Sequence, residues 1–209
     1  MTKTITFFLA TVFSINSFGQ TFEGKIVYKS TYKSKTANVT DEQFAEMLGS
    51  TQEYFIKKGD YKTVANGSLV QWQLYVNTDN KLYSKMSISD TVIWNDGAVN
   101  PDEVLNAEIN KNVIEVLGYP CDELVLTCKS GLQKYYFNTK LSVDITLFKN
   151  HKFGNWYDYL SKSNSLPLKM VIDNAQLSFE SVATEVTAMK LDKAFFELPA
   201  NTATTKSPY

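Results

Sequence analysis

The chain has 209 residues, with 21 basic and 22 acidic side chains and a formal net charge of −1. Every basic residue is a lysine, and because arginine is the side chain best suited to gripping phosphate and reading guanine, this composition argues against a nucleic-acid partner. The length suffices for one domain whose core needs no disulfide bonds.

The N-terminal segment at residues 1–20 has the composition of a targeting sequence. It carries an early positive charge at Lys3, an apolar stretch over residues 5–15 and a small residue at Gly19. This order predicts a secretory signal peptide that is cleaved after Gly19 or Gln20. The apolar stretch is shorter than the roughly 20 residues of a spanning helix, and no later stretch is long and apolar enough. We therefore expect an exported protein that is soluble in an oxidising periplasmic or extracellular space.

Two elements open the mature chain. The stretch "FEGKIVYKSTYKS" alternates apolar and charged residues, which predicts a long half-buried strand with Tyr28 and Tyr32 on its apolar face. The stretch "TDEQFAEMLGS" predicts a short helix, because Thr40 and Gln43 can form a capping box and Gly49 can end the helix.

The middle of the chain predicts closely spaced strands. Strand-like runs over residues 52–88 are separated by turn pairs, which favours an antiparallel meander. Within it, "LVQWQLYVN" places Trp72 and Leu74 on one face. The stretch "NPDEVLNAEI" predicts a second short helix with Asn100 as its cap. Strand patterns then return through residues 113–138.

The last third of the chain predicts a helix and a hairpin. The stretch "FGNWYDYL" places four apolar side chains at helical spacing: Phe153, Trp156, Tyr157 and Leu160. We expect this helix to act as a lid over the sheet. A long hairpin follows over residues 167–191, and residues 200–209 predict a polar C-terminal tail.

These elements predict a single α+β domain over residues 21–199 that is mostly β and has two or three short helices. An antiparallel sheet with one face in water must cover its other face, and short helices offer little cover. We therefore expect a strongly curved antiparallel sheet, a half-barrel, whose concave side either packs on itself or leaves a cavity for an apolar ligand. The candidate lining residues are Tyr28, Tyr32, Trp72, Leu74, Trp94, Phe153, Trp156, Tyr157 and Leu160. A fully packed core is the alternative, because large apolar side chains are usually core.

The two cysteines, Cys121 and Cys128, lie seven positions apart in "CDELVLTC". If this stretch is one strand, their Cα atoms are roughly 23 Å apart, at about 3.3 Å per residue. A disulfide needs Cα atoms within about 7 Å, so we expect two unpaired, buried thiols. An intramolecular bond is the alternative, since two cysteines in an exported protein often pair.

The single histidine, His151, limits the chemistry that the chain can perform. Two cysteines on opposite faces of a strand cannot share a metal with it, so we expect no metal site and no cofactor. The polar neighbours in "FKNHKFG" predict an exposed loop histidine. A thiol or serine hydrolase would need His151 as its base, and the chain has no G-x-S-x-G motif. We therefore expect a non-enzymatic binding protein, with a structural or protein-interaction module as the first alternative and a hydrolase as the second.

Three stretches, "FEGKIVYKS", "VLGYPCDELVL" and "NSLPLKMVID", occur in this order, and "FFELPA" follows them. In these motifs the chain resembles an uncharacterised family of exported bacterial proteins related to the GLPGLI-type envelope proteins, over most of its mature length. Such families are similar in architecture to the lipoprotein-carrier (LolA-like) fold, a strongly bent antiparallel sheet plugged by helices. The resemblance implies a lipid or other apolar ligand and no catalytic residue. Carriers of this architecture place an arginine near the cavity, and since this chain has none, we expect binding without a charged clamp. The recurring cysteine of the family matches Cys121, and Cys128 is an extra one.

Overall fold

The structure is a computed structural model that describes residues 21–208. The predicted signal peptide at residues 1–20 lies outside the described residues. Within them the chain forms two α-helices, α1 at Asp41–Leu48 and α2 at Trp156–Ser163. Short 3-10 helices lie at Ile145–Phe148, Phe153–Asn155 and Lys193–Phe196. The described strands are β1 Gly24–Ser34, β2 Thr51–Lys57, β3 Asp60–Ala65, β4 Val70–Val76, β5 Lys81–Met86, β6 Val92–Asp96, β7 Val104–Val116, β8 Tyr119–Cys128, β9 Gly131–Ser142, β10 Ser165–Asn174, β11 Leu177–Ala188 and β12 Thr204–Lys206.

These strands form one 12-stranded sheet in the order β12-β6-β5-β4-β3-β2-β1-β11-β10-β9-β8-β7. The first strand, β1, lies in the middle and pairs antiparallel with both β2 and β11. The sheet is open and curved, and the fold is mostly β, which confirms the predicted fold class. Among the described residues, no helix combines the length and the apolar character needed to cross a membrane.

Side chains on one face of the sheet, here called the inner face, form the main core. The antiparallel register aligns Ile56 of β2 with Tyr61 of β3, and Tyr61 with Tyr75 of β4, so alternate residues of each strand meet there. The helix α2 packs on this face through Tyr159, which is fully buried and stacks on Tyr135 of β9 with 4.2 Å between ring centroids. The helix therefore fills part of the concave side.

The opposite, outer face carries a smaller cluster. Its buried members are Leu74, Tyr83, Val92 and Phe196. The 3-10 helix at Lys193–Phe196 supplies the cover, and Phe195 meets the ring of Phe55 edge-on, with 4.9 Å between centroids. Both faces of the β2–β6 part of the sheet are thus covered, each by a different segment.

The predicted first helix is confirmed in detail. The hydroxyl of Thr40 accepts from the backbone N–H of Gln43 at 3.2 Å, and the Gln43 side chain accepts from the Thr40 N–H at 2.8 Å, which completes the capping box. The helix ends at Leu48, and Gly49 follows as its C-terminal cap with a φ of 93°, which suits glycine.

The helix predicted from "NPDEVLNAEI" is wrong, because this segment enters the edge strand β7 at Val104. The Asn100 side chain does accept from the Asp102 N–H, at 3.3 Å, but this bond closes a turn rather than capping a helix. Pairing of β7 with β8 along most of their lengths overrides the local helix signal. At the other end of the sheet, residues 204–206 of the predicted polar tail form β12, which pairs in parallel with β6.

Candidate functional site

A cavity of about 140 Å³ lies on the inner face beneath α2, and we call it the inner cavity. It is lined by Tyr28, Gln52, Tyr54, Tyr61, Thr63, Trp156, Pro167 and Met170. The floor comes from alternate residues of β1, β2 and β3, whose register brings Tyr54 opposite Thr63 and Tyr28 opposite Gln52. Trp156 at the start of α2 covers one side, so the helix and the curved sheet together make the enclosure.

A wider depression of about 350 Å³ continues from this cavity toward the ends of β1, β10 and β11, and we call it the outer groove. It is lined by Tyr32, Leu48, Gln52, Thr63, Ala65, Val70, Trp72, Gln73, Ile172, Leu177 and Phe179. Gln52 and Thr63 line both spaces, so the two are adjacent. Both spaces are open to solvent on one side, and the outer groove is the larger of the two.

The lining side chains of both spaces carry no formal charge. Their polar members are uncharged amides and hydroxyls, and neighbouring pairs on the same face bond to one another. The Ser30 hydroxyl donates to that of Ser181 at 3.1 Å, and the Gln73 amide donates to the Ser84 hydroxyl at 3.1 Å. Such a lining favours an apolar molecule with a few uncharged polar groups.

Most tyrosine hydroxyls of the inner face have hydrogen-bond partners. The Tyr28 hydroxyl donates to the Pro167 carbonyl at 2.6 Å, and the Tyr159 hydroxyl donates to the Ser165 carbonyl at 2.7 Å. The hydroxyl of Tyr54 differs, since it is buried and has no hydrogen-bond partner within residues 21–208. The same holds for the indole nitrogen of Trp156, which lines the same cavity.

Burial also sets the electrostatic character of the inner cavity. It raises the pKa of Tyr28 and of Tyr61, and it raises the pKa of Tyr54 well above the usual value for a tyrosine. The physical cause is the loss of water, which would otherwise stabilise a negative charge. An anionic group placed among these rings would meet the same penalty.

The histidine is not in an exposed loop, and that prediction is wrong. His151 is 1% exposed, and its ring stacks on Tyr75 with 3.9 Å between centroids. Its Nε2 shares a hydrogen bond of 2.8 Å with the Tyr61 hydroxyl, whereas Nδ1 has no hydrogen-bond partner in the described part of the chain. Desolvation lowers the pKa of His151 to about 3, so the ring is neutral at ordinary pH.

Both cysteines lie on the single strand β8 and are buried and free in the structure. Their hydrogen bonds go to groups other than the His151 ring: the Cys121 thiol donates to the Tyr119 carbonyl at 3.2 Å, and the Cys128 sulfur accepts from the Asn155 amide at 3.4 Å. Burial, reinforced by the nearby carboxylate of Asp102, raises the pKa of Cys128 to about 12. A thiol with so high a pKa is a poor nucleophile at neutral pH.

The structure distributes the predicted lining residues over five places. Tyr28 and Trp156 line the inner cavity, and Tyr32 and Trp72 line the outer groove, although Trp72 also packs against the outer-face cluster. Leu160 is fully buried in the core, with Tyr157 partly buried against it, and Phe153 lines a separate pocket beside Pro101. Leu74 and Trp94 belong to the outer face, which corrects the prediction that they share the concave face with Tyr28.

Sequence reasoning missed several residues that build the inner cavity, chiefly Tyr54, Tyr61 and Thr63. A signal for them exists in "QEYFIKKGDYKT", because the tight turn lies at Lys58 and Gly59, one residue before the predicted Gly59-Asp60, and aligns Tyr54 with Thr63 on one face. Within the described residues, no group of three or more His, Cys, Asp and Glu side chains is placed to hold a metal ion.

Comparison with known proteins gives a fold and no family. No family model matches the chain, and no curated protein matches it. Among solved structures, PNGF-II is 13% identical in sequence to this chain, with a TM-score of 0.50. The match covers 89% of this chain and 32% of PNGF-II, so this chain spans about a third of the length of PNGF-II. An uncharacterised conserved protein from Thermus thermophilus is 8% identical with a TM-score of 0.48, over 88% and 91% of the two chains. LprF from Mycobacterium bovis is 11% identical with a TM-score of 0.33, over 81% and 89%. The likeness to PNGF-II concerns the fold alone, and membership of the family related to GLPGLI-type envelope proteins stays a prediction.

Proposed function

We propose that this protein is an exported, non-enzymatic binding protein that holds a lipid or another apolar molecule in the inner cavity and outer groove. The observation that carries the proposal is the pair of adjacent hollows with an uncharged, largely apolar lining on the concave face, which a fully packed core would not leave. The export part of the proposal rests on the signal-peptide pattern of residues 1–20.

The volumes set what such a ligand can be. A dry cavity of about 150 Å³ holds a molecule the size of benzene, so the inner cavity of about 140 Å³ accepts only one end of a larger ligand. The outer groove, of about 350 Å³, lies within the usual range of roughly 300–1,000 Å³ for ligand sites. An elongated molecule with its end beneath Trp156 and its body in the groove fits both spaces.

The test is to fill the outer groove and measure binding of a neutral apolar dye, N-phenyl-1-naphthylamine, by its fluorescence. Ala65 lines the groove, so A65F places a ring in the path of the ligand. Val64 precedes Ala65 on β3, is 37% exposed and does not line the groove, so V64F is a matched control. We expect wild type and V64F to bind the dye alike and A65F to bind it at least tenfold more weakly.

Two results would contradict the proposal. One is that wild type does not bind the dye at all, and the other is that A65F binds it as tightly as V64F does. Circular dichroism and thermal unfolding of all three proteins establish that the folded states are equivalent. A protein-interaction module without a ligand is the second candidate, and the first of these results would favour it.

A further inference from the structure

A separate hollow of about 380 Å³ lies on the outer face of the sheet, and we call it the outer-face pocket. The sheet contributes Lys62 of β3 and Leu74 of β4, which the register aligns. The segment that begins with the 3-10 helix at Lys193–Phe196 contributes Phe195 and Leu198. The volume lies within the usual range of roughly 300–1,000 Å³ for ligand sites.

The ammonium group of Lys62 has no negative partner in the protein. Within residues 21–208 no carboxylate pairs with it and no oxygen accepts a hydrogen bond from it. Most half-buried lysines of the described chain differ in this respect, because a carboxylate pairs with each of five others: Lys25, Lys57, Lys85, Lys134 and Lys169. Lys62 is therefore a partly desolvated cation that still lacks a counter-charge.

Two aromatic rings border the Lys62 ammonium. Its Nζ lies 4.6 Å from the centroid of Phe195 and 5.5 Å from that of Trp72. The negative faces of such rings attract a cation but do not neutralise it, and burial lowers the pKa of Lys62. The Nζ atom is nevertheless accessible to water, unlike the Tyr54 hydroxyl on the inner face, so a ligand can reach it.

We propose that the outer-face pocket binds a singly charged carboxylate on a flat apolar body, of the kind that an aromatic acid has. The carboxylate accepts a charge-assisted hydrogen bond from Lys62, and the body packs against Phe195, Trp72 and Leu198. One ammonium balances one carboxylate. This site goes beyond the proposed function, because it lies on the opposite face of the sheet and takes an anion.

Glu197 also lines the pocket and is the one group there that would repel an anion. Its side chain is exposed, so water and salt screen its charge, whereas the half-buried Lys62 acts in a less polar environment. The attraction to Lys62 should therefore exceed the repulsion by Glu197, and a carboxylate should be preferred over a neutral group of the same shape.

The experiment measures binding of 2-naphthoate and of its neutral amide, 2-naphthamide, by isothermal titration calorimetry. Wild type should bind the naphthoate about tenfold more tightly than the amide, and K62M should bind the two probes equally. The matched control is K81M. Lys81 is also half-buried without an ion pair, lies 4.1 Å from the ring centroid of Trp94 and does not line the pocket, so K81M should keep the preference.

Two further variants sharpen the test. K62Q repeats the loss of charge with a polar side chain, in case K62M folds poorly, and circular dichroism checks the fold of each variant. E197Q removes the repelling charge, so it should bind the naphthoate as tightly as wild type or more tightly. Weaker binding by E197Q would overturn the assignment of a singly charged acid, because it would show that Glu197 attracts the ligand.

Three other results would overturn the inference: equal binding of both probes to wild type, a preference retained by K62M and K62Q, or a preference lost in K81M as in K62M. The first would mean that Lys62 is only a cation resting on two rings. K62M should bind N-phenyl-1-naphthylamine as wild type does, because Lys62 lines neither the inner cavity nor the outer groove. Loss of that dye from K62M would contradict the independence of the two sites.

Discussion

Acid should destabilise this protein through one buried side chain, His151. The ring is neutral in the folded state because burial lowers its pKa from 6.5 to about 3. In the unfolded chain the same ring titrates near 6.5, so below that pH the unfolded state binds a proton that the folded state refuses. The stabilising contribution of the neutral ring is therefore complete above about pH 6.5 and is lost as the pH falls from there toward about 3.

The magnitude follows from the size of the shift. Each pH unit below 6.5 costs about 1.4 kcal/mol, so the free energy of unfolding should fall by about 2 kcal/mol between pH 7.5 and pH 5 through this group alone. The rings stacked on His151 do not titrate in that interval, since burial raises the pKa of Tyr61 and raises that of Tyr75 to about 12. The effect is therefore attributable to the imidazole.

The assay is urea unfolding, followed by circular dichroism, of wild type and H151F at several pH values. Phenylalanine keeps an aromatic ring against Tyr75 and removes the titrating group, although it leaves the Tyr61 hydroxyl without its partner, a loss of stability that does not depend on pH in this range. The difference in unfolding free energy between the two proteins should shrink by about 2 kcal/mol from pH 7.5 to pH 5. Parallel curves for the two proteins would refute the reasoning, because they would mean that the folded protein accepts the proton on His151.

Three further predictions concern other parts of the chain. Alkylation during unfolding without reductant should label both Cys121 and Cys128, and labelling of neither would reveal a disulfide. In the folded protein Cys128 should react slowly, because burial raises its pKa to about 12. Mass spectrometry of protein from its own cells should find a mature start at Gln20 or Thr21, and an intact first methionine would contradict export. Asn155 is fully buried and has a φ of 61°, which glycine adopts without strain. N155A should therefore lower the free energy of unfolding by about 2–4 kcal/mol, and N155G should lower it by about 1 kcal/mol less. Equal losses in the two variants would exclude backbone strain as a cause.

Periodicity in the sequence predicted the elements better than it predicted how their faces combine. Alternation correctly placed Tyr28 on a buried face, and it correctly separated Trp72 and Leu74 from Gln73 and Tyr75 on β4. Alternation could not show which face of β4 lies on the same side of the sheet as Tyr28, because that depends on the register across the two intervening strands, β2 and β3. The observed register aligns Tyr61 with Tyr75, so Tyr75 faces inward and Leu74 faces outward.

Local signals failed where distant segments decide the structure. The residues around Asn100 carry the marks of a helix start, but the pairing of β7 with β8 supplies more hydrogen bonds than a short helix would. The polar neighbours of His151 indicated an exposed loop, whereas rings from β3 and β4 enclose the imidazole. In both cases the deciding segment is distant in sequence, so the residues next to Asn100 or His151 do not reveal it.

The central claim is that an apolar molecule occupies the inner cavity and outer groove. The most direct test is native mass spectrometry of wild type and A65F, each purified from the envelope of the cells that make the protein, with lipid extraction and analysis alongside. The account predicts that wild type carries one neutral apolar molecule, recovered in the extract, and that A65F has lost it. Wild type without any bound molecule, together with an experimental structure in which side chains fill the concave face, would contradict the account.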